Sequence, residues 1–382
     1  MKKGRISAAR KALAIAVAIG SALLCAWPMN SAASASSSQD QRLGGRARPV
    51  ITLQGPQFFG AGNEKSRDSA PRVLIPGGQA IGVAIRTQGV LVVGAGDNGR
   101  DSLREGDMIL SVNGVPLLES AMLTEAVNAA QGQPLSLRIS RGGQENDLLL
   151  TPRYDESSRA WRLGVWVRDS TAGVGTLTYY DPATGAYGAL GHAITDSDTG
   201  SLLPVREGAL MQAEIVDVRR GQRGAPGELR GSFLREQVTL GTVQVNTALG
   251  IYGRLEAPAA SALYPEGLPT ASRGQVHTGA ATILSTIAGQ EAREYAIEIT
   301  QVSRQSAAAP KSMVLRVTDE RLLSSTGGIV QGMSGSPILQ DGRIVGAVTH
   351  VFVSDPTQGY GVFIDWMLQQ SDALSAQQSE AA

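Results

Sequence analysis

Ser334 stands in the run GGIVQGMSGSPILQDGRIVGAVTH, Gly327 to His350, with Gly332 two residues before it and Gly335 directly after. A serine hydroxyl is a poor nucleophile near neutral pH until a base takes its proton. Three histidines could serve as that base: His192, His277 and His350. His192 lies in GALGHAITDSDTG, where an apolar segment meets glycines, a setting that presents an imidazole at a strand end. His277, in GQVHTGAA, reads equally well as a surface residue at a strand end. His350 closes RIVGAVTH and reads as a partly buried, hydrogen-bonded residue. A hydroxyl activated by an imidazole attacks acyl carbon, so Ser334 with His192 points to acyl chemistry. Zinc chemistry is the rival, but the histidines lie 85 and 73 residues apart, with neither H-x-x-x-H nor H-E-x-x-H. No metal or other cofactor is expected.

The elements that must position these groups are strands. SPILQ-DG-RIVGAVTH is two alternating segments joined at Asp341-Gly342, a strong hairpin signal, so Ser334 sits in the tight turn that feeds a hairpin. From residue 160 to 370 the chain is built of short apolar runs bounded by turns: RLGVWVRD, GVGTLTYYDP, AYGALGHAITD, GALMQAEIVDVRRG, GTVQVNTALGIYGRL, ATILSTIAG and REYAIEITQVSR. With 46 glycines and 17 prolines in 382 residues, this is the composition of many strands and turns, a mainly β chain forming one barrel or two. FIDWMLQQ is a closing helix, and 371–382 reads as a frayed tail.

The preceding region, 72–153, has strand alternation in VLIPGGQAIGVAIRTQGVLVVGAG, then REGDMILSVNGVPL. One amphipathic helix follows, ESAMLTEAVNAAQ, with Leu123, Ala126, Val127 and Ala130 at helical spacing, and then a hairpin about Gly142-Gly143. Strands, the Gly106-Asp107 and Asn113-Gly114 turns, helix and hairpin together resemble a PDZ domain. The resemblance implies a groove that takes a peptide terminus as an added strand, with Ala80, Ile81, Gly82 and Val83 as the carboxylate-binding segment and the helix as the opposite wall.

Net charge is zero, and no basic excess argues for nucleic acid. MKKGRISAARK, the apolar stretch of 16 from Ala12 to Trp27 and the small residues about Ala33-Ser34-Ala35 read as an export signal over 1–35, cleaved or kept as an anchor. Residues 36–71 read as a linker. The only cysteine, Cys25, lies inside the apolar stretch, so the exported part has no thiolate and no disulfide. RRGQRGAPGELRG, Arg219 to Gly231, is a basic, glycine-rich loop: a solvated face, or a regulatory or self-cleaved loop.

G-M-S-G-S-P followed by a hairpin is similar to the nucleophile turn of trypsin-like peptidases. That resemblance implies a double β-barrel and an oxyanion hole made by the N–H groups of Gly332 and Ser334. Met333 stands where the aspartate that pairs with a freed N-terminus would be. WVRDSTAGVGTLTYYDP, GHAITDSDTG and RVTDERLLSSTGGIVQGMSGSPILQDGRIVGAVTHVFVSDPTQGYGVFIDWML resemble the stage IV sporulation protein B peptidases of spore-forming bacteria, over about 160 to 370. That family implies an exported serine endopeptidase working between forespore and mother cell. It would cut a regulatory protein, and itself, in a membrane-associated signalling complex that activates a late sigma factor. It also implies His192 as base, Ser334 as nucleophile and Asp319 as the acidic member. Asp319 stands only fifteen residues before Ser334, so Asp196, Asp198 and Asp365 remain open as the acid that orients the histidine. The alternative is a binding or signalling protein on a peptidase-like fold without catalysis.

Overall fold

The computed structural model describes residues 71–96, 103–232 and 239–381. The expected export segment lies outside the described residues, as does the linker apart from Pro71.

The chain is mainly β. In order it forms β1 (Val73–Pro76), β2 (Ala80–Ala95), β3 (Met108–Val112), β4 (Val115–Pro116), α1 (Ser120–Ala129), β5 (Leu135–Arg141), β6 (Gln144–Leu150), β7 (Arg153–Asp155) and β8 (Ala160–Arg162). Then come β9 (Val165–Tyr180), β10 (Ala186–Ala189), β11 (Val205–Gln212), β12 (Glu214–Arg219), β13 (Glu228–Ser232), β14 (Thr239–Thr247), β15 (Gly250–Leu255) and β16 (Leu268–Pro269). The last part holds β17 (Gly279–Ser285), β18 (Arg293–Val302), β19 (Met313–Val317), α2 (Glu320–Thr326), β20 (Pro337–Gln340), β21 (Arg343–Phe352), β22 (Asp355–Phe363) and α3 (Ile364–Ala381).

Two rings of strands carry the site. In the first, β9 pairs β10, then β15, β14, β11 and β2 follow, and β2 pairs back to β9. The second is a closed barrel in the order β17-β18-β19-β22-β21-β20. Alternation explains the inward faces: in REYAIEITQV, Tyr295, Ile297 and Ile299 are buried while Ala296 and Thr300 face outward. Each such large side chain contributes about 1.5–3 kcal/mol of burial free energy. The Asp341-Gly342 hairpin forms as its sequence predicts, with both residues at positive φ, 51° and 70°.

Between β2 and β9 the chain builds a smaller unit with the strand, helix and hairpin order of a PDZ domain. Its core is Val90, Ile109, Val112, Leu123, Val127, Leu137 and Ile139. The unit is nested in the first barrel rather than placed ahead of it. One long strand, β2, serves both: Ala80–Arg86 pair with β9 and β11, and Val90 and Leu91 pair with β3. The boundary at residue 72 is therefore too early. The expected carboxylate-binding segment is also corrected. Ala80, Ile81, Gly82 and Val83 are buried and bonded on both sides, Ile81 opposite Gly175 and Gln212, so their N–H groups belong to a barrel ladder. The tail differs too, because α3 continues to Ala381 and Ser371, within it, is buried.

Candidate active site

His192 follows β10 through Leu190 and Gly191, both left-handed at φ 69° and 70°, which ends the strand and turns the chain toward the second barrel. A Cβ on Gly191 would stand 3.0 Å from Thr349 Cγ2 and 3.2 Å from Val362 Cγ1, so the barrels close tightly at this turn. The serine turn meets it from the other side. A Cβ on Gly335, at φ +97°, would fall 2.1 Å from the Thr176 carbonyl oxygen and 2.5 Å from Leu190 N. Only glycine fits there.

The serine turn is pinned from both barrels. The Gly335 N–H donates to Val348 O at 2.8 Å, and the Val348 N–H donates to Ser336 O at 2.9 Å. Thr176, on β9, donates its N–H to Ser334 O at 3.0 Å and its hydroxyl to Gly332 O at 2.8 Å. The Leu190 N–H in turn donates to Thr176 O at 3.3 Å. Thr176 thus ties the serine turn to the strand end that carries His192.

The Ser334 hydroxyl donates to Thr349 O at 2.7 Å. The His192 ring lies 4.9 Å, centroid to centroid, from the ring of His350, the residue after Thr349. His192 Nδ1 stands 2.8 Å from Ala193 O. A carbonyl only accepts, so Nδ1 carries the proton and Nε2 is left as the basic nitrogen. Burial lowers the His192 pKa from the ordinary histidine value, against the smaller opposing effect of the Ala193 bond. His350 is lowered to about 4, first by crowding among protein atoms and then by His192 and Lys311, although its side chain keeps exposed area. Both imidazoles are therefore neutral at pH 7. Of the two expected oxyanion donors, neither the Gly332 N–H nor the Ser334 N–H has a hydrogen-bond acceptor among the described residues.

His277 stands apart. It is exposed and bonds Asp341 Oδ2 at 2.8 Å, and the Thr278 carbonyl and then Asp341 raise its pKa.

The four candidate acids are each engaged elsewhere. Asp319 caps α2, accepting the Arg321 N–H at 2.9 Å, and it takes the Arg321 guanidinium at 2.7 Å and the Ala296 N–H at 3.2 Å. Arg321 holds its carboxyl well below the usual range. Asp319 is thus a helix cap rather than a partner of His192, which corrects the role the resemblance gave it. Asp196, whose carboxylate has no exposed area, takes Arg168 and the N–H groups of Asp198 and Thr199. Burial pushes it up, and those donors together hold it below the ordinary value. Asp198 bonds Arg168 at 2.8 Å. Asp365 accepts the Arg273 N–H at 2.8 Å, and burial raises its pKa. Among the described residues, no carboxylate acts on His192.

Sequence reasoning missed what braces the histidine loop. Asn246, at the end of β14, accepts the Ile194 N–H at 2.9 Å and donates to Ile194 O at 2.7 Å and Leu203 O at 3.0 Å. Its only sequence signal is a polar residue in an otherwise apolar strand, VQVNTALG. Among the described residues no group of three or more His, Cys, Asp or Glu side chains could hold a metal ion.

The groove expected beside α1 is taken by the chain itself. Val165–Arg168, the start of β9, pair with Leu91–Ala95 of β2. The same segment is locked to the helix: Asp169 accepts the Ser120 N–H at 2.6 Å and the Ser120 hydroxyl at 2.8 Å, and the Trp161 N–H donates to Asn128 Oδ1 at 3.1 Å. An added peptide strand would need that place.

The family model described as SpoIVB peptidase S55 matches residues 159–368. Among solved structures, the active form of the Rv3671c protease from M. tuberculosis is 13% identical, covering 52% of this chain and 73% of that one with a TM-score of 0.30. Its inactive form is 13% identical, covering 52% and 82% at 0.28. The PDZ domain of the SdrC-like protein (Lmo2051) from Listeria monocytogenes is 17% identical, covering 21% of this chain and 87% of that one at 0.20. No curated protein matches.

Proposed function

The chain belongs to the SpoIVB peptidase S55 family, and from that premise we propose that it is an exported serine endopeptidase with Ser334 as nucleophile and His192 as base. The observation that carries the assignment is convergence. Thr176 bonds the Ser334 and Gly332 carbonyls and also accepts from Leu190, two residues before His192.

The Ser334 hydroxyl rests on Thr349 O. Rotation about its Cα–Cβ bond brings it toward Nε2 of His192, which takes the proton as oxygen attacks the peptide carbonyl. The N–H groups of Gly332 and Ser334 receive the oxyanion. The imidazolium then protonates the leaving amine, and water completes the cycle by the reverse steps. The Ala193 carbonyl, held by the Nδ1 proton, does the orienting that a carboxylate does in a full triad. This gives a Ser–His pair with a main-chain orienter, with Asp319 supporting the serine loop through α2.

The substrate class is protein or peptide. Family membership supports a role in sporulation, in the space between forespore and mother cell. There the enzyme would cut a regulatory membrane or intermembrane-space protein, and itself, ahead of late sigma factor activation. The self-occupied groove beside α1 leaves recognition of a peptide terminus dependent on release of Val165–Arg168.

A fluorophosphonate probe tests the assignment. It should modify the full chain on Ser334, and Ser334→Ala should take none. Equal modification of both proteins would leave the non-catalytic reading standing.

A further inference from the structure

The β12–β13 hairpin, which contains the basic glycine-rich loop, lies along the serine loop. The Gly221 N–H donates to Thr326 O at 2.8 Å, and the Gly224 N–H donates to Val353 O at 2.8 Å. Gly227 O accepts the Gln331 N–H at 3.0 Å, and the Leu229 N–H donates to Gln331 O at 2.8 Å. Glu228 and Gln331 form a parallel bridge. The other end of the hairpin is held by reciprocal bonds between Ile215 and Gly289, at 2.8 and 2.9 Å.

One of these contacts, from the Leu229 N–H to Gln331 O, fixes the peptide that precedes Gly332. In a planar trans peptide the carbonyl and the N–H point to opposite sides. No described peptide bond is cis. The Gln331 carbonyl is drawn to Leu229 on the hairpin, so the Gly332 N–H points away from the hairpin, and it meets no acceptor among the described residues. The Leu229 side chain closes the other route. A Cβ on Gly332 would meet Leu229 Cβ at 2.9 Å and its Cγ and Cδ1 at 3.3 Å, so Leu229 rests on the Gly332 Cα, and Gly332 is held at φ +97°. If that peptide turned over, the Gln331 oxygen would replace the Gly332 N–H, and one oxyanion donor would be lost.

We infer that Leu229 is a positioning residue for the peptidase reaction, and that the β12–β13 hairpin holds the Gln331–Gly332 peptide in the orientation that offers the Gly332 N–H to the oxyanion. The inference rests on the peptidase assignment and adds a regulatory point to it. The loop tip Gln222–Ala225 is exposed, so a contact or a cut there acts on the site through the hairpin.

Saturation kinetics of fluorophosphonate labelling test this in the full chain, because the phosphoryl oxygen of the adduct occupies the oxyanion position. Leu229→Pro removes the N–H that holds Gln331 and should lower the maximal labelling rate about 100-fold. Leu229→Ala keeps the N–H, loses the packing and should lower the rate about tenfold on the same scale. Both should leave the half-saturating probe concentration unchanged, and Leu229→Ile should restore the rate. Leu229→Ala carries the test if the proline variant fails to fold. A maximal rate equal to that of the unmodified chain in a folded Leu229→Ala, or a loss seen only in half-saturation, would overturn the inference alone. An unmodified chain that never labels would overturn the peptidase assignment and this inference with it.

Discussion

The two halves of the proposed active site are made differently. The serine half is continuous in sequence. From Asp319 to His350 one stretch supplies the cap of α2, the Gly327 helix end, the serine turn and the β20–β21 hairpin behind it. The histidine half is gathered from distant segments. His192 follows β10, Asn246 comes from β14, and Arg168 with its buried partner Asp196 ties the far side of the loop to β9. On the proposed assignment, the nucleophile is fixed by local turn chemistry and the base by long-range contacts. Damage to the base should therefore come from places that look unrelated in sequence.

The largest effect should fall on both halves alike. Ser334→Ala and His192→Ala should each lower activity by about 1,000-fold or more, and the double variant should be hardly worse, because the two act as one unit. Additive losses would separate the halves and contradict a shared step.

The next effect should sharpen the contrast. Arg168→Met leaves the Asp196 carboxylate without its cation, although Asp196 keeps the N–H groups of Asp198 and Thr199. A loss of about 1–3 kcal/mol in unfolding free energy is expected, since one partner of a buried pair is removed while Arg168 itself is partly exposed. Urea denaturation measures it, and labelling should slow in step because the His192 loop is loosened. An unchanged midpoint would remove Arg168 from the bracing of the base.

On the serine side, Asp319→Ala should cost about 1 kcal/mol through loss of the α2 cap. Asp319→Asn keeps a capping oxygen and should leave the labelling rate within about tenfold of the unmodified chain. That bound is the central difference from a true orienting acid, whose amide replacement lowers the rate by orders of magnitude.

The smallest effect concerns pH. The His192 and His350 pKa values are both lowered by folding, His350 to about 4. Between about pH 4 and the ordinary histidine value of 6.5 the unfolded chain binds more protons. The stability contribution of neutral imidazoles is complete above that window and is lost as pH falls through it. His350→Asn should flatten part of the fall in melting temperature below pH 6.5. Labelling should keep its rate below pH 6.5, because His192 remains a free base there. An acid limb centred at or above 6.5 would contradict the buried, neutral His192.

What was legible in the sequence follows the same division. The Asp341-Gly342 turn, the glycines about Ser334 and the strand alternation of the second barrel are local, and each predicts its own conformation. The neighbours of a strand are not local. The pattern of Ala80–Val83 announces a strand but not which sheet it joins, and it runs from a barrel into the PDZ-like unit without a break. The fifteen-residue interval from Asp319 to Ser334 likewise says nothing of side-chain direction, and Asp319 spends its oxygens on a helix end. Thr176, which joins the two halves, is one threonine in a glycine-rich strand and carries no signal at all.

The most direct test is peptide mapping by mass spectrometry after fluorophosphonate treatment of the full chain, His192→Ala and Asp319→Asn. A Ser334–His192 pair that works without a carboxylate predicts a single adduct on Ser334 in the full chain and in Asp319→Asn, and none in His192→Ala over the same time. An adduct on another residue, or one lost with Asp319→Asn as completely as with His192→Ala, would contradict that pair.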